Sequence, residues 1–324
     1  MKNNQSIAHP SPAVSVRALA EADLAEADRI FHLAFGTFVG MPDPMQFCCD
    51  RDYVRSRWKA DPAAAFAAEV DGRLVGSNFA NSWGTVGFFG PLTVHPEFWD
   101  RRIASRLLEP VMQLFDRRQT RHAGLFTFPH STRHVHLYQK FGFWPRFLTA
   151  IMSRPAPQRP QNHPPVTYST LSADRQAECL KASRELTNAI YDGLDLQREI
   201  LAVAGQRLGD TVLLWDDSGL RAFAVCHCGA GTEAGEGACY VKFGAARPGP
   251  NAADTFDRLL DACESLAAQR GLGRVEAGVN TARHDAYQRM LAAGFQSRVL
   301  GLAMQKPDEP GYNRPDVFLI DDWR

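Results

Sequence analysis

The stretch GPLTVHPEFWDRRIASRLLEPVMQLF, residues 90–115, decides the fold of this chain because a strand, a tight loop and a long helix follow one another in it. Residues 92–94 are apolar or β-branched, as the residues of a buried strand usually are. From residue 103 the apolar side chains recur at the spacing of a helix face. The loop between the two elements therefore leads directly into the N-terminus of a helix.

This loop has the properties of a phosphate-binding site. A helix N-terminus presents free backbone N–H groups and the positive end of the helix dipole, and both favour an anion. Arg101 and Arg102 add two positive charges in the loop itself. We therefore expect residues 99–105 to bind a phosphorylated ligand.

The same loop resembles the acyl-coenzyme A loop of the GCN5-related N-acetyltransferases (GNAT). The signature of that family has Gln or Arg, two further residues, then Gly, any residue, and Gly or Ala. Trp99 stands in the Gln or Arg place, Arg102 in the first Gly place, and Ala104 in the last place, where Ala is usual. Ala104 is thus the one position of the loop that matches, and an ordinary crossover loop that binds nothing is the alternative.

A second motif lies at the distance that this family shows. Residues 131–143, STRHVHLYQKFGF, resemble the later GNAT motif, in which a Tyr precedes Gly-Phe by four residues. Tyr138 and Gly142-Phe143 match this motif, and Ser131 stands where Asn is usual. Two motifs in the family's order are far more specific than one, so the chain is identified as a member of the GNAT superfamily.

The resemblance implies an acetyl-CoA donor and a reaction that needs no metal. A strand would pair with the pantetheine arm, the loop N–H groups would bind the pyrophosphate, and Tyr138 would protonate the leaving thiolate. The residues expected to contact the cofactor are Leu92, Thr93, Val94, Trp99, Asp100, Arg101, Arg102, Ile103, Ala104, Ser105 and Ser131.

The resemblance also indicates where the acceptor would bind. In this family the helical region between the first two strands lines the acceptor pocket, so Phe38, Met41, Phe47 and Trp58 are candidate substrate contacts. Packing in the core is the alternative for each of these side chains. The pattern predicts the second helix of this region over residues 47–58.

The residue that takes the proton from the amine is not evident. Many family members use a Glu on the fourth strand, but this chain has Phe88 near that place. Some tandem members that acetylate aminoglycosides bring their C-terminal carboxylate into the N-terminal active site. We therefore expect Asp321, Asp322 or the end of the chain at Arg324 to lie near Tyr138. The alternative is that the apolar tail only joins the two halves.

The second half of the chain repeats the first weakly. Gly294-Phe295 repeats Gly142-Phe143 at an offset of 152 residues. At that offset Ala104 becomes Phe256 and Tyr138 becomes Met290, which has no proton to donate. We therefore expect the second copy to be degenerate and the first copy to carry the activity.

The length and these patterns predict an α/β (α+β) protein with two tandem GNAT-like domains, each a mixed, mostly antiparallel sheet flanked by helices. The predicted parts are a disordered N-terminus (1–12), a catalytic domain (13–154), a Pro-rich linker (155–165), a degenerate domain (166–305) and a tail that docks between the domains (306–324). A continuous strand is predicted over residues 86–94.

The composition gives no indication of a protein that binds nucleic acid or a membrane. Lys and Arg together number 36, as do Asp and Glu, so no net charge points to nucleic acid or a membrane surface. An N-terminus without an apolar core and seven scattered cysteines favour a cytoplasmic protein with reduced thiols. We expect a monomer or homodimer that transfers acetyl from acetyl-CoA to a primary amine of a small molecule or peptide, by direct attack in a ternary complex. A non-catalytic acyl-CoA sensor and a structural protein with two inactive sites are the alternatives.

Overall fold

The computed structural model describes residues 13–156 and 165–324. The predicted disordered segment 1–12 and most of the predicted linker lie outside the described residues. The elements of the first half are β1 (Val14–Ala18), α1 (Leu24–Phe38), α2 (Val54–Ala60), β2 (Ala65–Val70), β3 (Arg73–Trp83), β4 (Val86–Phe89), β5 (Thr93–Val94), α3 (Ile103–Arg117), β6 (His122–Thr127), α4 (Thr132–Gln139) and β7 (Trp144–Pro155). Those of the second half are β8 (Val166–Thr167), α5 (Ala173–Ile190), α6 (Gln197–Gln206), β9 (Gly209–Asp216), β10 (Gly219–Cys228), β11 (Ala238–Ala246), α7 (Ala252–Gln269), β12 (Arg274–Asn280), α8 (His284–Ala292), β13 (Gln296–Lys306) and β14 (Leu319–Ile320).

The strands form one mixed sheet in the order β1-β2-β3-β4-β6-β13-β7-β12-β11-β10-β9-β8. The pairs β4/β6 and β11/β12 are parallel, and the other neighbours are antiparallel. Helices pack on both faces: alternate residues of β2 face α1 in one core cluster and α3 in another. The predicted fold class, a mostly antiparallel sheet flanked by helices, is therefore confirmed.

The two halves exchange their last long strands. β13 of the second half lies between β6 and β7 of the first half, and pairs antiparallel with both. β7 in turn pairs with β12 of the second half along residues 149–155. Each half therefore completes its sheet with a strand from the other, and Pro155, which was predicted to begin the linker, belongs to β7.

The 152-residue repeat is visible in the sheet. The parallel ladder of β4 and β6 begins at Val86 and His122, and that of β11 and β12 begins at Ala238 and Arg274. Ala238 follows Val86 by 152 residues, and Arg274 follows His122 by the same number. The structure therefore aligns β4 with β11 and β6 with β12.

Two predicted elements are wrong in their bounds. The helix expected over 47–58 begins only at Val54, because Asp52 caps it by accepting the N–H of Arg55 at 2.8 Å. Residues 47–50 form turns instead, and Arg51 forms an isolated β-bridge with Thr232. The strand expected over 86–94 breaks into β4 and β5, because Gly90 has φ of 146° and Pro91 lacks a backbone donor.

Candidate active site

The strands β4 and β6 separate and open a cleft. Their parallel ladder ends at the pair Phe88 and Gly124, although β6 continues to Thr127 alongside β13. After the break at Gly90 the chain turns away and re-pairs with β3 as β5. The cleft between β5 and the end of β6 opens into a cavity of about 670 Å³. This is the size of a site for a small ligand or a cofactor arm.

One wall of the cleft offers backbone groups to a ligand. Leu92, Thr93 and Val94 line the cavity. His95 donates its N–H to the carbonyl of Val75, so the neighbouring Val94 turns its N–H and C=O away from β3. The carbonyl of Val94 accepts the indole N–H of Trp99 at 2.7 Å. Trp99 thus ties the loop to the strand from the place that Gln or Arg holds in the family.

The loop before α3 has the backbone of a glycine-rich loop without the glycines. Asp100 and Arg102 both take left-handed conformations, with φ of 63° and 60°, which glycine adopts most easily. Arg102 is the N-cap of α3, and the first-turn N–H groups of residues 103–105 have no intrahelical acceptor. These residues line the cavity. Arg101 does not; its guanidinium lies over the ring of Phe98 at 4.9 Å.

Tyr138 on α4 lines the cavity. Its side chain is buried, and this burial raises the pKa of the phenol well above its usual range, against a smaller effect of the Thr127 hydroxyl. The phenol therefore keeps its proton at neutral pH. Ser131 has a different place: it caps α4 by accepting the N–H of His134 at 3.4 Å, and it is not among the described residues that line the cavity.

Two of the four predicted acceptor contacts lie on the cavity wall. Phe38 and Phe47 line the cavity, but Met41 and Trp58 do not. Trp58 packs in the core on the other side of α2, where its indole donates to the carbonyl of Leu19 at 2.8 Å. Met41 and Trp58 thus lie outside the described wall of the cavity, and their predicted role as acceptor contacts stays a prediction.

The tail acids are also placed differently from the expectation. Asp321 forms an ion pair with Arg283 at 2.5 Å, and Asp322 accepts the hydroxyl of Tyr240 at 2.9 Å. Both acids are buried against the second half, and neither is among the described residues that line the cavity. Arg324 does line it, with Nη1 at 3.7 Å from Glu276.

The tail fills the cleft of the second half. β11 and β12 separate after Val241 and Ala277, one residue pair later in the repeat than β4 and β6 do. β14 enters this opening and pairs with β11 at Gly244 and Ala245. Phe318, just before β14, packs on Phe256 with ring centroids 5.8 Å apart. The chain's own backbone thus occupies the second cleft, and Phe256, which replaces Ala104, holds it there.

Two features of the site were missed by sequence reasoning. Arg57 is buried, and it binds Glu233 at 2.8 Å and the carbonyl of Gly90 at 2.7 Å. Glu276 lines the cavity although it belongs to the second half. Arg57 and Glu233 are 176 residues apart, so no local pattern could have joined them.

No metal centre or membrane span is found in residues 13–156 and 165–324. Within these ranges no group of three or more His, Cys, Asp or Glu side chains has the arrangement of a metal site. No helix of the same ranges is both long enough and apolar enough to cross a bilayer.

Residues 28–143 match the model of the acetyltransferase (GNAT) family. This range contains β4, β5 and β6, the loop before α3 and Tyr138. No curated protein matches the chain significantly.

Solved structures resemble the whole chain. A proposed acetyltransferase of Pyrococcus horikoshii superposes with a TM-score of 0.65 at 14% identity, over 96% of this chain and 95% of its own. A GCN5-related N-acetyltransferase of Sphaerobacter thermophilus has a TM-score of 0.60 at 17% identity, with 90% and 95% covered. One from Anabaena variabilis has a TM-score of 0.52 at 13% identity, with 90% and 72% covered. At such identities the likeness shows the shared fold.

Proposed function

Because residues 28–143 form a domain of the acetyltransferase (GNAT) family, we propose that the protein transfers an acetyl group from acetyl-CoA to a primary amine by direct attack in a ternary complex. The open cleft between β5 and β6, which ends on the N-terminus of α3 and contains Tyr138, carries the proposal. Family membership supports acyl transfer from an acyl-CoA in general, and these residues support the particular reaction.

The cofactor would lie along the strand and end at the loop. The N–H of Val94 points away from β3 into the cleft and would donate to the pantetheine arm. The N–H groups of residues 103–105, with the helix dipole behind them, would hold the pyrophosphate. A strand N–H would polarise the thioester carbonyl as an oxyanion donor does.

The acid for this reaction would be Tyr138. When the amine attacks the thioester carbon, the C–S bond breaks and the thiolate leaves with the electron pair. The phenol would give its proton to that sulfur.

His134 is the best candidate on the cavity wall to take the proton from the amine. It lines the cavity one helical turn before Tyr138, on the same face of α4. Burial lowers the pKa of His134, and the charges of Arg133 and His130 lower it further, so the imidazole is neutral at neutral pH and can accept a proton.

Glu276 is a weaker candidate for this role. It lines the cavity too, but Arg51 and Arg324 bind its carboxylate at 3.0 and 3.7 Å. Burial alone would raise the pKa of Glu276, but these arginines outweigh it and the pKa is lowered. A carboxylate held in this way has little tendency to bind a proton.

We propose that the first half alone binds acetyl-CoA. β14 occupies the second cleft at the level where β5 leaves the first cleft free. A ligand could enter the second cleft only by displacing this strand and its buried neighbours. The second half would then serve to complete the sheet and to contribute side chains such as Glu276 to the cavity wall.

Calorimetry with acetyl-CoA tests this proposal. Ala104→Glu places a bulky negative charge in the first turn of α3, where the pyrophosphate would bind, and should abolish binding. Ala173→Glu makes the same change in the first turn of α5, at an exposed position, and serves as the control. One mole of acetyl-CoA should bind per mole of wild-type chain. Absence of binding, or binding that Ala104→Glu leaves intact, would contradict the proposal.

Turnover separates an enzyme from a sensor. Release of free CoA thiol on addition of a primary amine should occur with the wild-type protein and should depend on both substrates. A protein that binds acetyl-CoA but releases no thiol with any amine would be an acyl-CoA sensor.

A further inference from the structure

The part of the cavity away from the phosphate loop is lined by a set of aromatic side chains that we call the aromatic wall. Its members are Phe31, Phe35, Phe38, Phe47 and Phe128. Phe35 and Phe47 stack with centroids 5.3 Å apart and planes 13° from parallel, and Phe38 lies 4.9 Å from Phe128. Contacts of this kind hold the rings in fixed positions. The wall is therefore a preformed surface for an apolar or aromatic group.

Asp100 and Glu276 are the carboxylate side chains among the described residues that line the cavity, and both are paired with arginines. Asp100 is paired with Arg133 at 3.1 Å, and Glu276 with Arg51 at 3.0 Å. An acceptor with several ammonium groups would find both carboxylates already engaged by arginines.

Cationic side chains outnumber these carboxylates around the cavity. The described cations that line it are Arg51, Arg102, Arg133, Lys140, Arg298 and Arg324. Those beside the loop suit the phosphates of the cofactor, but Arg51, Arg298 and Arg324 lie on other segments. Arg51 and Arg324 are paired with Glu276 and Asp322, so Arg298 supplies the positive charge on this side that repels a polycationic acceptor.

We propose that the acceptor is an arylalkyl primary amine with no positive charge beyond the reacting amine. This inference rests on the proposed acetyl transfer and specifies its substrate class. The aryl group would pack on the aromatic wall, and the amine would reach towards Tyr138 and His134. Aminoglycosides, polyamines and lysine-rich peptides would be poor acceptors, since each brings several ammonium groups.

The test compares acceptors that differ in one property. We expect kcat/KM for 2-phenylethylamine to exceed that for ethylamine roughly 10- to 100-fold, as expected for the burial of one aromatic ring. Spermidine and kanamycin should be no better than ethylamine. A higher kcat/KM for either polycation than for 2-phenylethylamine would overturn the inference.

A variant links this preference to the aromatic wall. Phe47→Ala should lower kcat/KM for 2-phenylethylamine roughly 10-fold or more relative to kcat/KM for ethylamine. The KM for acetyl-CoA should not change. Phe147→Ala removes a ring that is exposed on β7, outside the cavity wall, and should have no effect. Phe47→Leu keeps an apolar side chain and replaces Phe47→Ala in the test if that variant disturbs the fold. Its kcat/KM for 2-phenylethylamine should lie between those of the wild type and Phe47→Ala. Equal losses for both amines would contradict the role of the wall.

Binding separates a failure of this inference from a failure of the proposed function. If acetyl-CoA binds but no amine is acetylated, the transfer reaction is wrong. Calorimetry of 2-phenylethylamine, ethylamine and spermidine against the CoA complex then decides the inference by itself. Binding of 2-phenylethylamine that is tighter than that of the other two amines supports it, and equal or weaker binding rejects it.

Discussion

Arg57 and Glu233 form a buried ion pair that joins the two halves of the chain, with Nε and Oε1 2.8 Å apart. Lys242 binds the same carboxylate at 2.9 Å. The guanidinium of Arg57 also donates to the carbonyl of Gly90, where β4 ends and the cleft begins. The geometry of the cleft in the first half therefore depends on a carboxylate of the second.

Glu233→Gln should destabilise the protein by about 3–5 kcal/mol, because it leaves the buried charges of Arg57 and Lys242 without their common partner. Urea unfolding followed by circular dichroism measures the change in the free energy of unfolding. Glu236→Gln, three residues away on the exposed surface, should change it by less than about 0.5 kcal/mol. Similar values for the two variants would show that the pair contributes little.

The same pair predicts how stability depends on pH. Burial alone would raise the pKa of Glu233, but the charges of Arg57 and Lys242 outweigh it and the pKa is strongly lowered. A lowered pKa in the folded state contributes stability that is complete above the unfolded value, near 4.3, and is lost as the pH falls below it. The free energy of unfolding of the wild type should therefore drop below about pH 4. The difference from Glu233→Gln should shrink there; a difference that stays constant from pH 7 to 3 would contradict the assignment.

Tyr138→Phe keeps the ring and removes the proton. It should lower kcat roughly 10- to 1000-fold, the range of a general acid, and leave the affinity for acetyl-CoA nearly unchanged. Steady-state turnover and calorimetry measure the two effects separately. Tyr287→Phe on α8 of the second half is the control and should alter neither. Unchanged turnover in Tyr138→Phe would remove this residue from the mechanism.

His134→Gln tests the proposed base through a pH profile. A base acts when neutral, and burial lowers the pKa of His134 below 6.5. Wild-type kcat/KM should therefore fall with decreasing pH only below about 6.5 through this group. The variant should have a lower plateau and lack that limb. His284→Gln, exposed on α8, should keep the wild-type profile. If the decrease of kcat/KM at low pH persists in His134→Gln, it arises from the titration of another group.

The local parts of the site were predictable from sequence. The strand, loop and helix of residues 90–115 are contiguous, so their spacing alone places the N–H groups of residues 103–105 at the end of a strand. Tyr138 follows from a motif of the same local kind. Even the left-handed backbone at Arg102 agrees with the glycine that the family has there.

The parts that depend on distant pairings were not predictable. Trp58 was expected at the acceptor pocket, but its position is decided by where Asp52 caps α2. Asp321 and Asp322 were expected near Tyr138, but β14 pairs with β11 and carries them to Arg283 and Tyr240. Sequence patterns describe which face of a strand is apolar and leave open which partner covers it.

Because β7 and β13 each pair with a strand of the other half, neither half has a complete sheet without the other. A peptide that ended after β7 would lack β13, the neighbour of β6. Its last strand, β7, would also lack its partner β12. Hydrolysis of the backbone between Pro155 and Val166 would therefore yield two fragments that stay associated through the long ladder between β7 and β13. Produced separately, the same fragments would have unpaired sheet edges and would regain a complete cavity wall only by reassembly, with Glu276 and Arg324 supplied by one fragment and Tyr138 by the other.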